Sequence, residues 1–279
     1  MSLLKKLFDF YINASVHVAL SVYALVRMTQ FLFGISDDNA VAYFAFFGAI
    51  VGYNFVKYDF LVRIKRQQIS LQLKGIVVLS FMALCAAGFF FFKLQRTTQL
   101  TAFIPLVLTT LYALPFFPNR KNARNWAGVK IYIVALCWVG VTVFLPVLNS
   151  GTPMGLDLLI ISIQRFILVF VLVLIFEIID LAKDDPHLQT VPQQIGVRGT
   201  KNLGYSLLMV LFGLEVFNSN IHDNTQFQYF LLLLKFIIAI VVALFLAFAN
   251  EKRSKYYTSF WVESITIGWW LLVLLLQKF

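Results

Sequence analysis

The feature that most constrains this chain is a recurrence: apolar stretches of bilayer-crossing length follow one another almost from end to end, with short polar turns between them. They lie at about 13–34, 40–57, 74–93, 99–117, 128–148, 156–180, 203–219, 227–249 and 257–276. Each is close to the ~20 residues that carry a helix across the hydrocarbon core, where every backbone N–H and C=O has to be satisfied within the segment. The sequence therefore predicts an all-α integral membrane protein, a bundle of about nine transmembrane helices. Composition agrees, because 60% of the residues are hydrophobic and only 13% are charged, too few to cover the outside of a soluble fold.

A net charge of +10 would suggest nucleic acid in a soluble protein. Here the basic residues stand in short loops and fix topology instead, so no nucleic-acid partner is expected. All but six of the 23 Lys and Arg fall in alternate loops. These are Lys5 and Lys6; Lys57, Arg63, Lys65, Arg66 and Lys74; Arg120, Lys121, Arg124 and Lys130; Lys183, Arg198 and Lys201; Lys252, Arg253 and Lys255. Lys93, Arg96 and Lys278 lie on the other side, and Arg27, Arg165 and Lys235 lie within spans. The alternation predicts an amino terminus inside and a carboxyl terminus outside. The first stretch is span-length, carries Arg27 and lacks a small-residue cleavage site, so it reads as a retained helix. Cys85 and Cys137 lie in apolar runs without metal-ligand spacing and read as small buried hydrophobes. The Phe89, Phe90, Phe91, Phe92 run most simply faces lipid.

Polar chemistry gathers in two inner loops four spans apart, each following a helix that descends to the inside. One polytopic domain, built from two pseudo-repeated four-helix units and a ninth helix, would give this plan. The first loop reads Tyr53, Asn54, Phe55, Val56, Lys57, Tyr58, Asp59; the second runs from Glu177 through Asp180 and Lys183 to Asp184 and Asp185. Asp180 and Asp184 are spaced i, i+4, so on a continuing helix their carboxylates leave from one face, as two ligands of a shared hard cation would. Carboxylates at a helix carboxyl terminus meet the negative end of the dipole and repel each other, a cost that a cation offsets. The other reading is that they are acids solvated where the chain leaves the membrane.

Beyond the pair come Thr190, Val191, Pro192, then Ile195 and Gly196. An Asp-x-x-x-Asp followed by Thr-x-Pro and a hydrophobic-Gly pair resembles the second aspartate motif of the UbiA-type membrane prenyltransferases. That family also has nine helices, an inside amino terminus and aspartate motifs after helices two and six. The stretch from Tyr112 through Pro115 to Arg120, Lys121 and Arg124 is similar to its Tyr/Pro and basic segment between helices four and five. The first motif departs: aligned on Asn54, this chain has Phe55, Tyr58 and Val62 where the family has acids, with Asp59 one residue off.

The resemblance implies a prenyltransferase that moves an isoprenyl group from an isoprenyl diphosphate to a lipophilic, often aromatic, acceptor with Mg2+. Diphosphate departure builds negative charge that the metal offsets, and aromatic faces stabilise the allylic cation. Carried over residue by residue, Asp180 and Asp184 are the catalytic metal ligands, with Asn54 and Asp59 as further metal partners. Lys121, Arg124, Arg198 and Lys201 are candidate phosphate contacts, though each is first a topology determinant. Tyr53, Tyr58 and Tyr112 either face the prenyl group or pack between helices. The implied location is a bacterial cytoplasmic membrane, surrounded by lipid, with the active face cytosolic. Two alternatives stand beside this: a relative of the same fold that binds isoprenoid without turnover, and a secondary transporter, for which intramembrane charges would be the signal. Those charges are Arg27, Arg165, Glu215, Lys235 and Glu263. Glu215 paired with one basic residue, the others snorkelling, accounts for the outer four.

Overall fold

A computed structural model describes residues 3–36, 39–64, 70–114, 128–221 and 226–276 of the chain. Helix follows helix, with no strand among the described residues. In order they are α1 Leu3–Asn13, α2 Val16–Leu32, α3 Asn39–Ile64, α4 Leu71–Phe91, α5 Arg96–Ala113, α6 Lys130–Val139, α7 Leu145–Ser150, α8 Leu156–Asp180, α9 Val191–Ile221, α10 Gln226–Phe248 and α11 Glu263–Leu276. Wider π turns at Gly140–Phe144 and Tyr257–Val262 join α6 to α7 and lead into α11.

The chain is an all-α integral membrane bundle. Among the described residues six helices are long and apolar enough to cross a bilayer, and a seventh if α1 and α2, bent by 54°, count as one span. Helices α5 and α9 occupy the two remaining apolar stretches and are not among these. The first stretch differs from the sequence expectation, because the chain turns at Asn13–Ser15 and a separate helix, α1, precedes the crossing.

The chain divides into two compact units. The first comprises Met1–Asn122 with Gly140–Thr152. Its helices α3 and α4 are joined by aromatic rings: Phe90 stacks on Phe47 and meets Tyr43, and Phe91 meets Phe44. Only Phe89 and Phe92 of the Phe run point outward, as expected for lipid-facing rings. Cys85, expected to be buried, is exposed on α4; position 85 falls on the side of α4 away from buried Ile76, Ala83 and Ala87. The π turn loosens the backbone ladder, and the freed Thr142 carbonyl accepts the Thr29 hydroxyl at 2.6 Å.

The second unit comprises Ala123–Val139 with Pro153–Phe279. Its axis is α8, most of which is buried against α6, α9 and α10. A Cβ on Gly204 of α9 would overlap the Leu246 side chain of α10, so glycine permits the close approach there. The carbonyls at the end of α10 are all claimed: Phe245 by the Tyr257 hydroxyl at 2.7 Å, Ala247 by the Lys201 ammonium at 2.7 Å, and Phe248 by Arg253 Nε at 3.1 Å. Two of these donors are cations at the negative end of a helix dipole.

Candidate functional site

In the second unit, α8 delivers its carboxyl end to a tight turn that leads into α9. The Asp184 N–H donates to the Asp180 carbonyl at 2.9 Å, so the helical turn continues one step past Asp180 and stacks the two aspartates on one face. Their carboxylates are near enough to repel each other. Lysines offset this: Lys130 of α6 lies 3.8 Å from Asp184 Oδ2, and Lys183 lies 3.7 Å from Asp180 Oδ1. Asp184 Oδ2 is buried and accepts no hydrogen bond, with the Lys130 ammonium as its ion-pair partner.

The turn is held from beneath. Glu177, one turn before Asp180 and 2% exposed, accepts the Val191 N–H at 3.1 Å, so its carboxylate caps the start of α9. Gln193 accepts the Thr190 N–H at 2.9 Å and donates to the Asp185 carbonyl at 3.2 Å. The Thr190, Val191, Pro192 signature thus has a local cause: Thr190 precedes the helix, and Pro192 stands in the first turn where its missing N–H has no cost. Gly196 breaks α9 at φ 73°, ψ 165°, a backbone state essentially restricted to glycine. Asp185 opens the short turn Pro186–Leu188, where the backbone N–H and then the ring of His187 hold its carboxyl below the ordinary range. The loop is tied down again by the Gly128 N–H, which donates to Leu188 at 3.2 Å.

Two carboxylates on one turn, with lysines beside them, fit a magnesium ion that takes one or two protein oxygens and completes its shell from water and phosphate. They do not fit an all-protein metal cage, since no three His, Cys, Asp or Glu converge among the described residues.

In the first unit, the segment that aligns with the departed motif lies within α3 rather than in a loop, and its side chains are engaged in structure. Asn54 is 4% exposed; its Nδ2 donates to the Ala14 carbonyl at 3.0 Å and to Ser80 Oγ at 2.9 Å, leaving Oδ1 without a hydrogen bond. Lys57 donates to Ser15 Oγ at 3.0 Å, and the Tyr58 hydroxyl donates to the Asn13 carbonyl at 2.9 Å.

No family model and no curated relative matches the chain by sequence. Solved structures do match. A UbiA homologue from Archaeoglobus fulgidus bound to GPP and Mg2+ has a TM-score of 0.62, with 95% of this chain and 99% of that chain covered at 12% identity. A UbiA homologue from Aeropyrum pernix K1 gives 0.60, over 95% and 98% at 13% identity. A digeranylgeranylglyceryl phosphate synthase in membranes gives 0.58, over 97% and 96% at 14% identity. This chain has the UbiA fold.

On this UbiA fold the candidates of the sequence fall in different surroundings. Asp180 and Asp184 come together on the turn after α8. Arg198 is exposed near the start of α9, whereas Lys201 is engaged with the end of α10. Tyr112 is buried near the end of α5. Lys121 and Arg124 lie outside the described residues, as does the side chain of Asp59. Lys130 reads from the sequence only as a topology residue; no acid lies nearer to it along the chain than Asp157, so nothing signals that it reaches Asp184. The intramembrane charges form a brace: Lys235 of α10 donates to Gln164 Oε1 of α8 at 2.9 Å and pairs with Glu215 of α9, which also accepts Gln164 Nε2 at 3.0 Å. Arg165 is 3% exposed and lies inside the protein, which corrects the expectation that it snorkels.

Proposed function

We propose that the chain is an intramembrane prenyltransferase that moves an isoprenyl group from an isoprenyl diphosphate to a lipophilic acceptor, with Mg2+ as cofactor and its active face on the cytosolic side of a bacterial membrane. The observation that carries this reading is the Asp180–Asp184 turn, two carboxylates on one face with a lysine beside each; the GPP and Mg2+ bound by a neighbour of the same fold support it. When bound, the metal would supply Lewis-acid neutralisation of the charge that develops on the departing diphosphate.

The chain's own residues supply position and charge balance. Asp180 and Asp184 would hold the ion. Lys130 and Lys183 limit the repulsion between the two carboxylates, which helps the turn keep its shape. Glu177 and Gln193 fix the start of α9 against that turn, which keeps the ligating oxygens in register. Arg198, exposed near the start of α9, would serve as a phosphate contact.

A second reading, a relative that binds isoprenoid diphosphate without turnover, is favoured by one observation: the Tyr58 hydroxyl and the Asn54 amide nitrogen are engaged with the α1–α2 turn. One experiment separates the two. The purified protein in nanodiscs is given labelled geranyl or longer isoprenyl diphosphates with Mg2+, with Asp180→Asn alongside. Release of diphosphate that EDTA abolishes, and that Asp180→Asn lowers by at least about 100-fold, supports the enzyme. Mg2+-dependent binding with no release supports the second reading, and neither binding nor release removes both.

A further inference from the structure

Helix α1 is the element that the functional reading leaves without a role. Its residues separate cleanly around the helix: Leu3, Leu4, Leu7, Phe8 and Tyr11 share one broad face, and Lys5, Lys6, Asp9 and Asn13 share the other. Eleven residues span only ~16 Å at ~1.5 Å each, about half a hydrocarbon core, so α1 does not cross by itself. The 54° bend prevents it from extending the crossing made by α2. Its leucines are nevertheless uncovered by protein, with Leu3 73%, Leu4 79% and Leu7 57% exposed. Only its end is seated, where Ile12 is buried and Phe10 lies against Gly75 of α4.

The bend is built into the unit. Ser15 holds a left-handed backbone, φ 61°, which a residue with a Cβ adopts only when its surroundings enforce it. Three side chains on one stripe of α3 do the enforcing: Tyr58 takes the Asn13 carbonyl, Asn54 the Ala14 carbonyl, and Lys57 the Ser15 hydroxyl. Successive acceptors at 13, 14 and 15 are each met by a donor at spacing i, i+3, i+4, so the angle between α1 and α2 is fixed by a polar clamp rather than left to a loop.

We propose that α1 is an in-plane anchor: it lies along the membrane surface with Leu3, Leu4, Leu7 and Phe8 below the headgroups and Lys5 and Lys6 among anionic phospholipid headgroups, held at that angle by the Asn54, Lys57 and Tyr58 clamp. An exposed apolar face beside a membrane-spanning helix finds its solvent in the same bilayer, and two lysines on the opposite face match the negative surface of anionic lipid.

The test uses the full chain with Cys85→Ala and Cys137→Ala, reconstituted in nanodiscs of zwitterionic lipid with or without phosphatidylglycerol. An NBD label is placed at Leu4→Cys or at Lys6→Cys. In anionic discs, aqueous iodide is expected to quench position 4 about five-fold less than position 6. With Lys5→Gln and Lys6→Gln, or in zwitterionic discs, iodide access at position 4 is expected to rise at least about two-fold. Equal access at the two positions overturns the proposal. So does shielding of position 4 that ignores both lipid charge and the lysines, or that appears only when two copies share a disc. Both labelled positions are exposed, so each variant is checked for an unchanged gel-filtration profile and needs no repacking.

Discussion

Replacing Lys235 by Met tests whether the intramembrane brace is a closed electrostatic unit. Lys235 is 5% exposed and Glu215 is fully buried, so Lys235→Met would leave a carboxylate with one remaining donor, Gln164 Nε2, on Oε2 and none on Oε1. Removing one partner of a buried ion pair typically costs about 3–5 kcal/mol, and the smaller worth of polar contacts inside membranes moves the expectation to the lower end, about 3 kcal/mol. At about 2–4 °C per kcal/mol for a chain of this size, Tm in detergent would fall by roughly 6–12 °C. The double variant Lys235→Met with Glu215→Leu removes both charges, leaves only the Gln164 amide to satisfy, and is expected to recover at least about 1 kcal/mol of that loss. Tryptophan fluorescence during heating of the purified protein reads Lys235→Met, Glu215→Leu alone, the double variant and the wild type. If Lys235→Met melts within ~1 °C of wild type, or the double variant loses the sum of the two single losses, the pair is not coupled and the brace does not exist as described.

Four further outcomes follow from the site. Asp184→Asn is expected to weaken Mg2+-dependent binding of isoprenyl diphosphate by at least about 10-fold in calorimetry while leaving Tm within a few degrees. Glu177→Ala leaves the Val191 N–H without its acceptor and should cost about 1–3 kcal/mol of thermal stability, with Glu177→Gln recovering most of it. Gly196→Ala forces a Cβ onto φ 73° and should cost about 1–3 kcal/mol, although nothing lies within reach of that Cβ; a neutral result would mean the break in α9 relaxes. Tyr58→Phe removes the hydroxyl that holds the Asn13 carbonyl, so α1 should show faster amide exchange at residues 13–15 and a stability loss of about 1 kcal/mol.

Several parts of the fold were legible because they follow from short-range physics. Apolar runs of crossing length mark helices wherever a bilayer is the solvent, and α3, α4, α8 and α10 lie on the stretches that predict them. The same holds for the turn after α8: i, i+4 spacing places Asp180 and Asp184 on one face whatever packs around them, provided the helical turn persists, as the Asp184 N–H bond shows it does. Glu215 was recognisable as needing a partner, because a lone carboxylate inside a span is costly. Its choice of Lys235 and Gln164 was not, since that depends on which faces of α8, α9 and α10 meet.

What escaped the sequence was decided by contacts between residues distant along it. Lys57 and Lys201 satisfy the positive-inside count equally well as free lysines, yet one is bound to Ser15 and the other to the last turn of α10. Asn54 and Tyr58 read as motif remnants, and only the position of the α1–α2 turn against α3 reveals them as donors to Ala14 and Asn13. A single chain determines how much of itself must lie in lipid and where its acids cluster, because hydrophobicity and helical period are properties of neighbouring residues. Which polar group answers which is a property of packed helices, since a buried donor binds the acceptor that folding brings within about 3 Å and no other.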